Sequence, residues 1–299
     1  MDTLATMFKE EIKKAMALTT VSTVVTGENV YQEGNDKILP ILDEMAASLM
    51  LPGSGVDGME NFEELLAKAE SGKSCLLLVE HYSNFDLSIF SLLVRQAGGR
   101  GDAIAQALIA IAGMKLNEDN PVVAAFASAY TRIVIYPNRS LKGLDSEKKK
   151  AELSRSFAIN RAATKAVDTV KTQGRLILLF PAGTRYRAWD PSTKKGVREV
   201  DTYLRSFDYM CCVALNGHTL HVQQTDMVND TVTKDVVRVT AGPVHSCAEF
   251  RGKVQAATAA AGVIEDKKQA VADAIMAELE QLHITTEEKR KKIMEEKHD

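Results

Sequence analysis

At 299 residues, with 45% hydrophobic and 26% charged side chains, the chain can bury one large core, and this composition excludes global disorder. A formal net charge of −3 excludes bulk attraction to nucleic acid, so no nucleic-acid partner is expected and any anionic ligand needs a local basic cluster. The uncharged stretch from Ala103 to Met114 is far too short to cross a bilayer, and the first residues, with Lys9, Glu10, Glu11, Lys13 and Lys14, lack the apolar centre of a signal peptide.

In chain order, residues 1–70 read as helical. Leu4, Met7, Phe8, Ile12 and Met16 recur near the helical period, and Ile38, Ile41, Leu42, Met45 and Leu49 do so more clearly. Leu51 to Gly55 breaks the pattern, and a third short helix fits Asn61 to Glu70. The rhythm then changes. Cys75 to Val79 is wholly apolar, as in a strand buried on both faces, and a helix fits Leu87 to Gln96. Ile133 to Tyr136 reads as a strand, Glu147 to Thr172 as a long helix ended by Gly174, and Leu176 to Phe180 as another buried strand. Cys211 to Leu215, His221 to Gln224 and Val236 to Thr240 fit further strands. The tail from Glu265 is helical, with Val271, Ile275 and Leu279 at spacing four. Ala103 to Met114 reads as core or as the lining of an acyl-chain channel. The expected fold is α/β, a mixed, largely parallel central sheet flanked by helices. An N-terminal helical subdomain (residues 1–58) precedes an α/β domain (residues 59–299). Cys75, Cys211 and Cys212 sit in apolar runs, and with Cys247 they read as buried free thiols in a reducing compartment.

Three strand ends carry the chemistry. Glu80-His81-Tyr82-Ser83-Asn84-Phe85-Asp86 lies between a buried strand and a helix, where ligands bind in open α/β sheets. A tight turn there lets Asp86 fold onto one imidazole nitrogen of His81, fixing the tautomer and supporting the imidazolium that forms when the other nitrogen takes a proton. Phe180-Pro181-Ala182-Gly183-Thr184-Arg185-Tyr186-Arg187 follows another apolar strand. At spacing two on extended backbone, Arg185 and Arg187 project to one side, and two guanidinium groups converging on one spot suit a phosphate. Arg139, just past Ile133 to Tyr136, is placed to reach the same rim.

The order H-x-x-x-x-D, apolar strand with arginine, then F-P-x-G-T-R resembles the glycerolipid acyltransferase family. The chain looks most like its soluble, plastid-type glycerol-3-phosphate acyltransferases, with the Arg185/Arg187 spacing followed by Trp189 to Thr193. The likeness covers roughly residues 60–250. It implies a glycerol-3-phosphate 1-O-acyltransferase. His81 would act as general base, Asp86 would hold it, and Arg139, Arg185 and Arg187 would bind the phosphate. Asn84, Gly183 and Thr184 would support the motifs. The implied co-substrate is acyl-CoA or acyl carrier protein, with no metal, no cofactor and no acyl-enzyme. The implied setting is the cytoplasm or plastid stroma, in solution or peripheral to a membrane. Siblings of this reading are a 1-acylglycerol-3-phosphate acyltransferase and a catalytically silent lipid-binding homologue. Two departures stand out. Ala182 replaces the usual glutamate, a replacement the plastid-type branch shares, and Cys212 to Leu215 lacks the family's proline.

Other signals carry less. Ser71-Gly72-Lys73-Ser74 ends like a P-loop, but Ala67 stands where glycine is needed and the strand follows instead of preceding. His218 and His221 lack the companions a metal site needs. Lys148-Lys149-Lys150 reads as a solvated helix start, or as a contact for carrier protein, CoA phosphates or anionic lipid. The run from Glu287 to Asp299 mixes both signs, as in a solvated helix end.

Overall fold

The computed structural model describes residues 2–20, 22, 24–141, 145–225, 227–260 and 266–296. The expected residues Glu265 and 297–299 lie outside them. Among these residues ten strands are formed: β1 (Tyr31–Gln32), β2 (Gly55–Asp57), β3 (Cys75–Val79), β4 (Leu108–Gly113), β5 (Arg132–Ile135), β6 (Leu176–Leu179), β7 (Tyr209–Asn216), β8 (Leu220–His221), β9 (Thr231–Val232) and β10 (Arg238–Ser246). Eight of them make one sheet in the order β1-β5-β4-β6-β3-β7-β10-β2, and β8 pairs with β9 apart from it. The five strands from β5 to β7 are mutually parallel, while β1 and β10 run antiparallel to their inner neighbours. The protein is therefore α/β with a mixed, largely parallel sheet, as its alternation of apolar runs and helices predicts.

The inner strands are buried on both faces because both sets of alternating side chains are apolar. Cys75, Leu77 and Val79 of β3 point into a core shared with the helices Leu39–Leu49, Met59–Glu70 and Asp86–Gln96. Leu76 and Leu78 point into the opposite layer, against Ala163 and Val167 of the helix Ser146–Val170 and Val271, Ile275 and Leu279 of the helix Lys267–Glu295. The N-terminal 58 residues contribute helices and also both outer strands of the sheet, β1 and β2, and Leu4, Leu42 and Leu49 belong to the first core.

Several elements differ from the sequence reading. Ala103 to Met114 spans the helix Gly101–Ala107 and then β4, an inner strand. Its aliphatic residues fit either state, and the gap between β5 and β6 decides. The strand expected at His221 to Gln224 is limited to β8. The one expected at Val236 to Thr240 runs instead from Arg238 to Ser246, with its register broken between Ala241 and Val244, where Gly242 and Pro243 sit. Ser71 to Ser74 is a helix C-terminal turn with Gly72 at φ +86°, leading into β3. All four cysteines are buried and free. Among the described residues no helix is long and apolar enough to cross a membrane.

Candidate active site

The parallel arrangement sets the carboxyl ends of β3, β5 and β6 along one edge of the sheet. The chain leaves β3 as Glu80-His81, leaves β5 toward Arg139, and leaves β6 as Phe180-Pro181.

Asp86 is the first residue of the helix Asp86–Gln96, where the helix dipole favours a negative charge. Its buried carboxylate folds back over the turn. Oδ2 lies 2.8 Å from His81 Nδ1 and accepts the Tyr82 amide at 2.6 Å, while Oδ1 accepts the Ser83 hydroxyl at 2.7 Å and the Ser83 amide at 3.0 Å. A carboxylate accepts, so Nδ1 carries the imidazole proton and Nε2 is the basic nitrogen. One face of the ring stacks on Phe180, with centroids 3.9 Å apart and planes 14° from parallel. The His81 carbonyl accepts the Tyr186 amide at 2.8 Å, stitching the β3 turn to the β6 turn. Asn84 donates to Met227 Sδ at 2.7 Å.

The β6 turn is closed by the Gly183 amide donating to the Phe180 carbonyl at 2.8 Å. Gly183 sits at φ +62°, where a Cβ is strained. A Cβ on Gly183 would lie 3.8 Å from Arg139 Nη1, so the β5 arginine reaches the β6 turn. Thr184 is half-buried between Gly183 and Arg185. Arg185 pairs with the buried Asp230 at 3.2 Å, and Asp230 in turn accepts the Gln223 amide at 2.8 Å. Arg187 and Arg139 form no ion pair with any described residue. Residues 185–187 do not form a strand, but the spacing brings both guanidinium groups into one electrostatic neighbourhood. Burial lowers the pKa of Arg185; Asp230 opposes that shift and Arg187 adds to it. Arg139 is exposed by surface area, yet the protein around it and the Arg187 charge lower its pKa as well. The Arg187 charge thus acts on both Arg185 and Arg139, and guanidinium groups gathered in this way suit a multiply charged anion. Arg185 also feels the Asp86 carboxylate, which places the cluster within electrostatic range of the His81–Asp86 pair.

A second set of residues supports the turn and was not anticipated. Glu80, buried beside His81, accepts the Tyr82 hydroxyl at 2.9 Å, the Leu215 amide at 2.9 Å and His283 Nδ1 at 2.8 Å. Burial opposes a charge on His283, but the Glu80 carboxylate outweighs it and raises the imidazole pKa. Burial first and the Glu80 charge second push the Tyr82 phenol well above its ordinary range, so it stays protonated and donates. The signal for Glu80 was present in the sequence, as a lone acid ending an apolar strand. His283, 203 residues away, gave none. A narrow pocket beside His81 is walled by Ala182, Tyr186 and Lys194, so a methyl group stands where the resembled family carries glutamate. His221 Nε2 bonds Thr233 at 2.7 Å, and no cluster of three metal-ligating side chains occurs among the described residues.

No protein-family model matches this chain, and no curated protein matches it.

Proposed function

We propose that the chain transfers an acyl group from a thioester, carried on coenzyme A or an acyl carrier protein, to the 1-hydroxyl of glycerol-3-phosphate. His81 Nε2 takes the hydroxyl proton as the oxygen attacks the thioester carbonyl. The C–O bond forms, the C–S bond breaks, and the proton passes from the imidazolium to the departing thiolate. Asp86 holds Nδ1 and stabilises the transient positive charge. Arg139, Arg185 and Arg187 take the phosphate, which orients the hydroxyl toward the base.

The observation that carries this reading is a tautomer-fixed histidine on one strand end beside a cluster of arginines that follow two other strands on the same sheet edge, with Arg187 acting on both of the others. A base alone would serve many reactions. A base within range of an incomplete anion cradle favours a hydroxyl on a phosphorylated acceptor. The resemblance of the H-x-x-x-x-D and F-P-x-G-T-R segments points to acyl transfer in particular.

The test is product analysis with the full chain, glycerol-3-phosphate and a panel of acyl-CoA and acyl carrier protein donors. Monoacylglycerol phosphate is expected, with glycerol a far poorer acceptor. Absence of acyl transfer from every donor, or an unchanged rate in His81→Ala, overturns the reading.

A further inference from the structure

The helix Ser146–Val170 buries Ile159, Ala163 and Val167 and turns its other side to solvent. Along that outer side Lys149, Leu153, Phe157, Arg161 and Lys165 follow one another at spacing four, and all are exposed. Each step of four residues turns about 40° round the helix, so they form an inclined ridge about 24 Å long at roughly 1.5 Å per residue, with Phe157 at its centre and Lys149 and Lys165 each displaced by about 80° to either side of it. Phe157 is 69% exposed and Leu153 47%, two large apolar groups in the centre with cations at both ends. None of Lys149, Arg161 and Lys165 forms an ion pair with a described residue. Two of the nearby acids are engaged elsewhere: Glu152 accepts the Tyr136 hydroxyl at 2.7 Å, and Asp168 pairs with Lys171 at 2.7 Å, while Glu147 is exposed near the start of the helix. Arg155, on another side of the helix, donates to the Val25 carbonyl at 3.0 Å.

We propose that this ridge docks the protein on an anionic lipid bilayer, with Phe157 and Leu153 entering the acyl boundary while Lys149, Arg161 and Lys165 meet headgroup phosphates. Two independent features select a lipid surface. Unpaired cations on a chain of net charge −3 make the ridge a local attractor for anions. Two apolar side chains on a convex helix expose far less than the roughly 800 Å² per partner that a stable protein interface buries. They do match the pairing of a short apolar insertion with a basic cluster that holds peripheral proteins on membranes. The helix is also tied to the anion cradle. Asn160 exchanges two hydrogen bonds with the backbone of Tyr136, at 2.8 and 3.0 Å, three residues before Arg139. The docking does not depend on the proposed reaction.

The test is co-sedimentation of the full chain with vesicles of phosphatidylcholine, with and without phosphatidylglycerol, at low and high salt. Binding is expected only with the anionic lipid and is expected to weaken with salt. The triple variant Lys149→Glu/Arg161→Glu/Lys165→Glu is expected to weaken binding at least about tenfold. Phe157→Asp is expected to weaken it at unchanged charge elsewhere, and Phe157→Trp to show a blue-shifted emission on anionic vesicles. A control triple, Lys14→Glu/Lys253→Glu/Lys291→Glu, carries the same charge change at exposed lysines off the ridge and should bind as the wild type does. Equal loss in both triples, binding indifferent to lipid charge, or no vesicle binding beside retention on an acidic protein would each overturn the proposal. All ridge side chains are exposed, so unchanged thermal unfolding of each variant separates lost docking from lost fold.

Discussion

The β3 turn and the arginine cradle share one edge of the sheet but are built in opposite ways. Around Asp86 every charge is answered: the carboxylate accepts His81, Tyr82 and Ser83, and behind it Glu80 accepts Tyr82, Leu215 and His283. In the cradle Arg185 is matched by Asp230, while Arg139 and Arg187 face each other's charge without an acid among the described residues. The first region is finished by the fold. The second is left open, as the proposed phosphate site requires. Groups that must hold one geometry through a reaction are satisfied from within, whereas groups that must attract a substrate are left short of counter-charge.

The largest expected effect breaks the finished side. His81→Ala should lower acyl transfer on the order of 10²–10⁴-fold, measured as product formed per enzyme, because the imidazole held by Asp86 is the proposed general base. Asp86→Asn should act on rate and fold together. An amide cannot accept every bond the carboxylate accepts and turns a donor toward backbone N–H groups. The rate should fall by about 10²-fold and stability by roughly 1–3 kcal/mol in denaturant titration.

Arg187→Gln probes the unfinished side. Binding of the phosphorylated acceptor should weaken about tenfold or more, while the ligand-free melting temperature holds or rises, because a repulsive charge has gone. A sharp fall in the ligand-free melting temperature would show that Arg187 is structural and end the contrast.

The smallest effect concerns the support behind the turn. The folded pKa of His283 is raised above its ordinary 6.5, so the imidazolium is favoured by folding. That stability is fully present below the ordinary value and is lost as pH rises through the folded one. The stability advantage of the wild type over His283→Gln should therefore be greatest in mildly acidic solution and narrow as pH rises. An advantage that grew with pH would show that Glu80 does not hold the imidazolium.

Much of the fold was legible because its signals are local. The apolar runs at Cys75 to Val79 and Leu176 to Leu179 are strands buried on both faces. The helix expected over Glu147 to Thr172 runs from Ser146 to Val170, with Asp145 capping it by accepting the Lys148 amide at 2.9 Å. The short outer strands β1 and β2 were missed. Two or three residues carry no period, and their pairing is set by β5 and β10. In the site, the His81–Asp86 contact was readable because five residues separate the partners along one turn. The Arg185–Asp230 and Glu80–His283 contacts were not, since each joins segments brought together only by the folded chain.

By itself the sequence determined which strand ends carry a base and which carry arginines, because strand, turn and charge are written within a few neighbouring residues. The tertiary structure decided that these ends share one edge, that Asp230 pairs with Arg185, and that the last helix returns to brace the turn through His283. Those outcomes depend on the order of strands in the sheet, and that order is fixed by the burial of two apolar layers rather than by any local pattern.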